Sequence, residues 1–178
     1  MVDDVVKELG FLTLGTRFKR IGEALQAQTQ AVLHQHGMDL PAAHFPLLAA
    51  LDWHGPLGVG ELSDAVGVSQ PVVTRSLRGL EERGLVRSES VEGDRRVRRL
   101  ALSPAGQALV RRAKREVWPL LDASVAQVCA GLQGPLLDQL AAVEQGLERT
   151  SLLQRSARAL ASPPAAAGRS GRSEGKKP

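Results

Sequence analysis

The sequence predicts a mainly α-helical fold that contains one small β-hairpin. Apolar residues recur every three or four positions from residue 5 to about 36 and again after residue 104, as they do along amphipathic helices. Between these stretches, residues 85–88 and 97–102 are short runs compatible with β-strands, separated by a turn-forming segment at 92–96. The chain is therefore expected to consist of helices on both sides of a central unit that carries the hairpin.

Residues 58–84 of this central unit have the pattern of two short helices joined by a tight turn. Gly67 is expected to end the first helix, because glycine tolerates positive φ. Ser69 occupies the N-cap position of the second helix, Pro71 lies in its first turn, and Gly84 ends it. The buried face of the first helix is expected to hold Leu62, Ala65 and Val66, and that of the second Val73, Leu77 and Leu80. This is a helix-turn-helix, whose second helix can lie in the major groove of DNA.

The outer face of the second helix and the tip of the hairpin supply the candidate DNA contacts. These candidates are Ser69, Gln70, Thr74, Arg75, Arg78, Arg95 and Arg96. Ser69 either caps the helix or holds a phosphate, and the sequence leaves both interpretations open. The arginines at the hairpin tip are placed to reach backbone phosphates or the minor groove. A basic hairpin beside a recognition helix is the layout of a winged helix.

Three stretches resemble the MarR-type transcriptional regulators. They are Leu-Glu-Glu-Arg-Gly-Leu-Val-Arg at residues 80–87, Asp-Arg-Arg at 94–96 and Leu-Ala-Leu-Ser-Pro-Ala-Gly at 100–106. The resemblance extends from about Gly15 to about Leu153. It implies a winged helix-turn-helix domain (40–103) within a helical homodimer, whose interface uses the terminal helices (5–36 and 104–155). It also implies that Asp94 orients a neighbouring arginine through a salt bridge.

Breaks along the helical stretches are predicted at glycine and proline. The first helix is expected to run uninterrupted for about thirty residues to Gly37, longer than most globular helices. Pro119 predicts a kink in the helix that follows the hairpin. Gly131 and Gly134 interrupt the pattern, and Pro135 then begins a last amphipathic helix. Residues 161–178 are rich in Ser, Pro, Ala, Gly, Arg and Lys, which is typical of a disordered basic tail.

Composition excludes several classes of protein. The 178 residues carry a formal net charge of +4, which makes polyanions plausible partners. The absence of a membrane-spanning run or a secretion signal predicts a cytoplasmic protein, and the single cysteine, Cys129, is expected to be a small buried thiol. Neither a catalytic motif nor a cofactor-binding motif is visible, so we expect no enzyme and no cofactor. The histidines lack the spacing of a metal site; they are His34, His36, His44 and His54.

The expected function is therefore sequence-specific binding of DNA by a homodimeric transcriptional regulator. Its operator should be a pseudo-palindrome, because a two-fold dimer presents two recognition helices. The resemblance further implies a repressor that responds to a ligand in a cleft between the dimer helices and the winged helix. Candidate pocket residues are Arg17, His44, Phe45, Leu48 and Trp53, which suit a small aromatic or amphipathic acid. The alternative, which the sequence favours, is that these side chains are ordinary core. The alternative function is a winged helix that contacts an acidic protein partner.

Overall fold

The computed structural model describes residues 2–91 and 94–155, without the side chains of residues 90–98. It divides the chain into two compact units, one ending at Ala126 and the other beginning at Gln127. The fold is mainly helical with one antiparallel hairpin, as predicted. The elements in order are α1 (Val5–Glu8), α2 (Leu14–Gln35), α3 (Phe45–His54), α4 (Val59–Val66), α5 (Gln70–Glu82), β1 (Val86–Val91), β2 (Asp94–Leu102), α6 (Pro104–Glu116), α7 (Trp118–Cys129) and α8 (Leu136–Arg149). Among these helices, none is both long enough and apolar enough to cross a membrane.

The N-terminal segment differs from the single long helix predicted. The short α1 stops before Gly10, which has φ +55°, and a 3₁₀ turn at Gly10–Thr13 leads into the 22-residue α2. A left-handed residue cannot continue a right-handed helix, so the interruption has a local cause. The Thr13 hydroxyl donates to the Val6 carbonyl oxygen at 2.6 Å and ties the two helical pieces together.

The C-terminal end of α2 is closed by side chains from distant parts of the chain. Gly37, at φ +64°, ends the helix as predicted. The Arg83 guanidinium then donates to the Asp39 carbonyl oxygen at 2.8 Å, and Arg112 donates to the His36 carbonyl oxygen at 2.5 Å. These contacts hold the segment that follows α2, because the last-turn carbonyl oxygens of the helix already accept from the N–H groups of residues 36–38.

The predicted helix-turn-helix and its hairpin are confirmed. Gly67 and Gly84 both have φ +66°. Gly67 is the C-cap of α4, and Gly84 directly follows Arg83, the C-cap of α5. Strands β1 and β2 pair in antiparallel register, with Val86 opposite Leu102. The sequence did not predict that Leu57 pairs with Leu100. Backbone hydrogen bonds of 3.0 and 2.8 Å join these two residues, so the chain entering α4 is bonded to the base of the hairpin.

One hydrophobic core lies between the helix-turn-helix, the hairpin base, α3 and α6. Most residues predicted to be buried are buried, including Leu62, Val73, Leu77 and Leu80. Ala65 is an exception, because it is exposed on α4. The core also takes residues that the periodicity did not select, namely Leu33, Met38, Leu40, Val86 and Val110.

Helices after the hairpin are interrupted where proline and glycine predicted. Near Pro119, α6 ends at Glu116 and α7 begins at Trp118, with Val117 between them. The Val117 N–H donates to Ala113 and the Leu121 N–H donates to Val117 with helical spacing, so the interruption has the form of the predicted kink. In the second unit, Gly134 has φ +77° and Pro135 is the N-cap of α8. Cys129 is half-buried, less enclosed than expected. The predicted tail, 161–178, lies outside the described residues.

Candidate nucleic-acid interface

Helix α5 has one face in the core and the opposite face in solvent. Val73 and Leu80 are fully buried and Leu77 is 3% exposed, which fixes the rotation of the helix about its axis. The predicted contact residues on the other face are all exposed: Ser69, Gln70, Thr74, Arg75 and Arg78. The side chains that the sequence assigned to DNA therefore form one continuous polar surface along the helix.

Several of these side chains already have partners within the helix. The Thr74 hydroxyl donates to the Gln70 carbonyl oxygen at 2.8 Å, and the Arg78 guanidinium pairs with Glu82 at 3.1 Å. By contrast, Arg75 makes no hydrogen bond or ion pair with any described residue. Ser69 lies at the N-cap of α5, but its side chain makes no capping hydrogen bond. The side-chain cap is thus not formed, and the phosphate contact of Ser69 stays a prediction.

The side chains of Arg95 and Arg96 at the wing tip, like that of Asp94, fall outside the described part of the chain. The base of the wing is described and is held by Arg99. Its guanidinium contacts both carboxylate oxygens of Glu61, at 2.9 and 3.2 Å, and the carbonyl oxygen of Pro56, at 3.1 Å. Glu61 also accepts from the Gly58 N–H at 2.7 Å, which closes the first turn of α4. Neither residue was singled out from the sequence, because the partners lie 38 positions apart.

The start of α6 is fastened to the end of the recognition unit. Ser103 is the N-cap of α6 and accepts from the Gly106 N–H at 3.0 Å. Its hydroxyl donates to the Gly84 carbonyl oxygen at 2.6 Å, and its own N–H donates to the Leu85 carbonyl oxygen at 3.0 Å. These four bonded positions, which we call the α6 seam, fix α6 against the segment that joins α5 to the wing.

The residues predicted to form a ligand pocket are not gathered around one cavity in this chain. Phe45 and Leu48 belong to the hydrophobic core, whereas Trp53 is 71% exposed on the last turn of α3. Arg17 and His44 are half-buried. Three surface grooves lie elsewhere, with volumes of about 270, 330 and 410 Å³, and none is lined by these five residues.

His44 is nevertheless unusual among the candidate residues. Its Nδ1 atom is buried and has no hydrogen-bond partner among the described residues. Burial, and secondarily the positive charge of Arg83, lower the pKa of His44 below its usual 6.5. The imidazole is therefore neutral at neutral pH. Within residues 2–91 and 94–155, no three His, Cys, Asp or Glu side chains lie close enough to hold a metal ion.

Comparison with known proteins identifies this architecture. The sequence profile of the MarR family matches residues 38–97. The chain is similar to a MarR-family transcriptional regulator from Silicibacter pomeroyi, with 30% identity, a TM-score of 0.56, and 82% of this chain and 96% of that chain covered. At lower identity, its fold is similar to that of S. aureus MepR, solved as a DNA complex (19%, TM-score 0.61, coverage 80% and 96%). It is also similar in fold to Bordetella bronchiseptica BpsR, whose DNA binding is regulated by 6-hydroxynicotinic acid (23%, TM-score 0.58, coverage 78% and 93%). With 30% identity over nearly the whole length of a family member, the chain belongs to the MarR family of transcriptional regulators.

Proposed function

We propose that this protein binds double-stranded DNA in a sequence-specific manner as a homodimer and thereby represses transcription. The observation that carries the proposal is the α5 surface, where a continuous row of exposed polar side chains lies opposite a fully packed apolar face. A helix fixed in this way can enter the major groove without disturbing the core. The fold shared with MepR, solved as a DNA complex, supports the same role for this surface.

Among the candidate residues, Arg75 is best suited to read a base. Its guanidinium is exposed and is not already paired with a described residue, and an arginine can bind both acceptors of a guanine in the major groove. Because the Thr74 hydroxyl donates to its own helix, its methyl group is left to contact thymine. Ser69, Gln70 and Arg78 are assigned to the phosphate backbone, as are Arg95 and Arg96 of the wing.

Dimerisation through residues 5–36 and 104–155 is part of the proposal. Along α2, Phe18, Ile21 and Leu25 are between 37% and 50% exposed although they lie on the apolar stripe of the helix. In the second unit, Val143 and Leu147 of α8 are 42% and 50% exposed. Exposed apolar stripes of this kind are typical of surfaces that are covered in an oligomer. A two-fold dimer would present two α5 helices to a pseudo-palindromic operator.

The proposal is tested by measuring DNA binding on the region upstream of the protein's own gene, with random duplex as the competitor. Arg75→Ala should weaken binding to the operator about tenfold or more, since one good bidentate contact is worth roughly 1–3 kcal/mol of discrimination. Binding to random duplex should change much less. Arg111→Ala is the matched control once gel filtration shows that its oligomeric state is unchanged, because Arg111 is an exposed arginine of α6 outside the proposed DNA surface. If both variants lose affinity equally for the operator and for random duplex, Arg75 does not read the base sequence. If the wild type prefers no duplex, the alternative of an acidic protein partner takes its place.

Control by a small ligand is the second part of the proposal. BpsR, which shares the fold, is regulated by 6-hydroxynicotinic acid, an aromatic acid. We propose a ligand of this general class, whose negative charge pairs with Arg17 and whose polar group bonds to the neutral imidazole of His44. Phe45, Leu48 and Trp53 would lie near its apolar part. The test compares release of DNA by a panel of aromatic acids for the wild type and His44→Ala. If the panel releases no DNA from the wild type, or both proteins respond alike, this pocket assignment fails.

A further inference from the structure

The wing is joined to the helix-turn-helix by a small polar cluster at its base. The cluster, which we call the wing clamp, comprises Arg99 of β2, Glu61 of α4 and the carbonyl group of Pro56. Arg99 makes three contacts of 2.9 to 3.2 Å with these two groups. The adjacent Leu57–Leu100 backbone bridge also joins the wing to the helix-turn-helix, as does a hydrogen bond of 2.9 Å from the Ser88 hydroxyl of β1 to Glu81 of α5.

The wing clamp is too exposed to be a major source of stability. The Arg99 and Glu61 side chains keep 41% and 50% of their surface in solvent. Exposed ion pairs change an equilibrium by only about two- to fivefold, because water competes for both charges. The hairpin is also held by the Leu57–Leu100 bridge, by the Ser88–Glu81 hydrogen bond and by the burial of Val86, Leu100 and Leu102 in the core. The ion pair can still shift the orientation of the hairpin relative to α4. Its effect should therefore be sought in the position of the wing rather than in the unfolding of the protein.

We propose that Arg99 and Glu61 are positioning residues that hold the wing at the angle at which its tip reaches DNA. The wing tip carries Arg95 and Arg96, and their role as phosphate contacts rests on the proposed function above. The clamp connects β2 to the first turn of α4, and α4 directly precedes the recognition helix α5 in the chain. Fixing β2 to α4 thus fixes the distance between the two DNA-contacting segments.

A competing role for Arg99 is direct contact with phosphate, and the two roles predict opposite effects of Glu61→Gln. If Arg99 only adds positive charge, removing the neighbouring carboxylate should strengthen DNA binding. If the clamp positions the wing, the same change should weaken binding although a negative charge has been lost. Glutamine can still accept from the Gly58 N–H, so the first turn of α4 keeps its cap.

The experiment measures affinity for operator DNA at several salt concentrations. Glu61→Gln should weaken binding about two- to fivefold per half-site, and up to about twenty-fivefold for a dimer that uses both wings. Asp64→Asn is the control, since it removes the same charge from an exposed residue of α4 that has no partner among the described residues. It should leave affinity unchanged or raise it. The double variant Glu61→Gln with Arg99→Gln should bind DNA only slightly more weakly than Arg99→Gln alone, because both changes remove the same contact. Tighter binding by Glu61→Gln, matching the control, would overturn the clamp.

Hydrogen exchange in the free protein tests the clamp without DNA. The backbone N–H groups of Leu57 and Leu100 each donate to the other residue's carbonyl oxygen and so join the segment before α4 to β2. Their exchange rates therefore report the opening of this junction. In Glu61→Gln and Arg99→Gln, they should exchange about two- to fivefold faster than in the wild type, whereas Asp64→Asn should match the wild type. Unchanged exchange in both clamp variants would refute the proposal even if the protein binds DNA. Faster exchange in a protein that binds no DNA would leave the clamp in place and refute the proposed function instead.

Discussion

Replacing Gly106 with alanine should strongly destabilise the protein, although alanine is the better helix former. A Cβ atom at this position would lie 2.0 Å from the Leu85 carbonyl oxygen and 3.1 Å from its carbon. Real Cβ atoms essentially never lie within 3.0 Å of such an atom, and the obstacle here is backbone. The two segments must therefore separate by a distance on the order of 1 Å. That movement also strains the α6 seam, in which the Gly106 N–H bonds to Ser103.

The size of the effect follows from three contributions. Overpacking a close contact costs typically about 1–3 kcal/mol, and weakening an N-cap costs about 1 kcal/mol. The intrinsic preference of helices for alanine returns about 0.5–1 kcal/mol. The net loss should be about 2–3 kcal/mol, which corresponds to a decrease in Tm of roughly 4–12 °C for a chain of this size.

The assay is urea unfolding followed by circular dichroism at one fixed protomer concentration, since dimerisation makes stability depend on concentration. Gly79→Ala is the matched control. A Cβ atom there would meet only the His44 Cε1 atom, at an ordinary 3.8 Å, so alanine in α5 should be neutral or stabilising. If Gly106→Ala is as stable as Gly79→Ala, the close approach of α6 to Leu85 does not hold in solution.

Two other predictions concern titration and assembly. Because the pKa of His44 is lowered in the folded state, the unfolded chain binds a proton first as pH falls, so stability should be lost below about pH 6.5. His44→Gln should remove this part of the pH dependence, and identical profiles of unfolding free energy for both proteins would contradict it. Leu147→Asp should yield a folded monomer by analytical ultracentrifugation, because a charge would oppose the partner's apolar surface. A variant that stays dimeric would exclude α8 from the interface.

The local features of the fold could be predicted from the sequence, because their causes are local. The buried face of α5 follows from the spacing of Val73, Leu77 and Leu80, and the helix ends at Gly67 and Gly84 follow from the backbone freedom of glycine. The exposed polar face of α5, and with it the candidate DNA surface, could be inferred for the same reason.

Features that depend on distant partners could not be predicted in this way. Nothing in the neighbourhood of Arg99 indicates that its partner is Glu61, and the bridge between Leu57 and Leu100 has no periodic signal. Even Ala65, which fits the apolar spacing of α4, is exposed because no element in the described part of the chain covers that side of the short helix. Of the residues proposed for the ligand pocket, Phe45 and Leu48 lie in the core of the chain, and the pocket itself stays a prediction.

The arginines that close α2 also constrain the order in which the chain can complete its fold during synthesis. The carbonyl oxygens of His36 and Asp39 can be bonded only after Arg112 and Arg83 have been synthesised, and these arginines lie 76 and 44 residues further along the chain. Contacts of such sequence separation form late, because the intervening chain must be ordered before they are made. A nascent chain that has exposed only the first hundred residues already contains Arg83 but still lacks the contact from Arg112 to His36. Translation must proceed beyond residue 112, through most of α6, before the first long helix acquires its final C-terminal contacts.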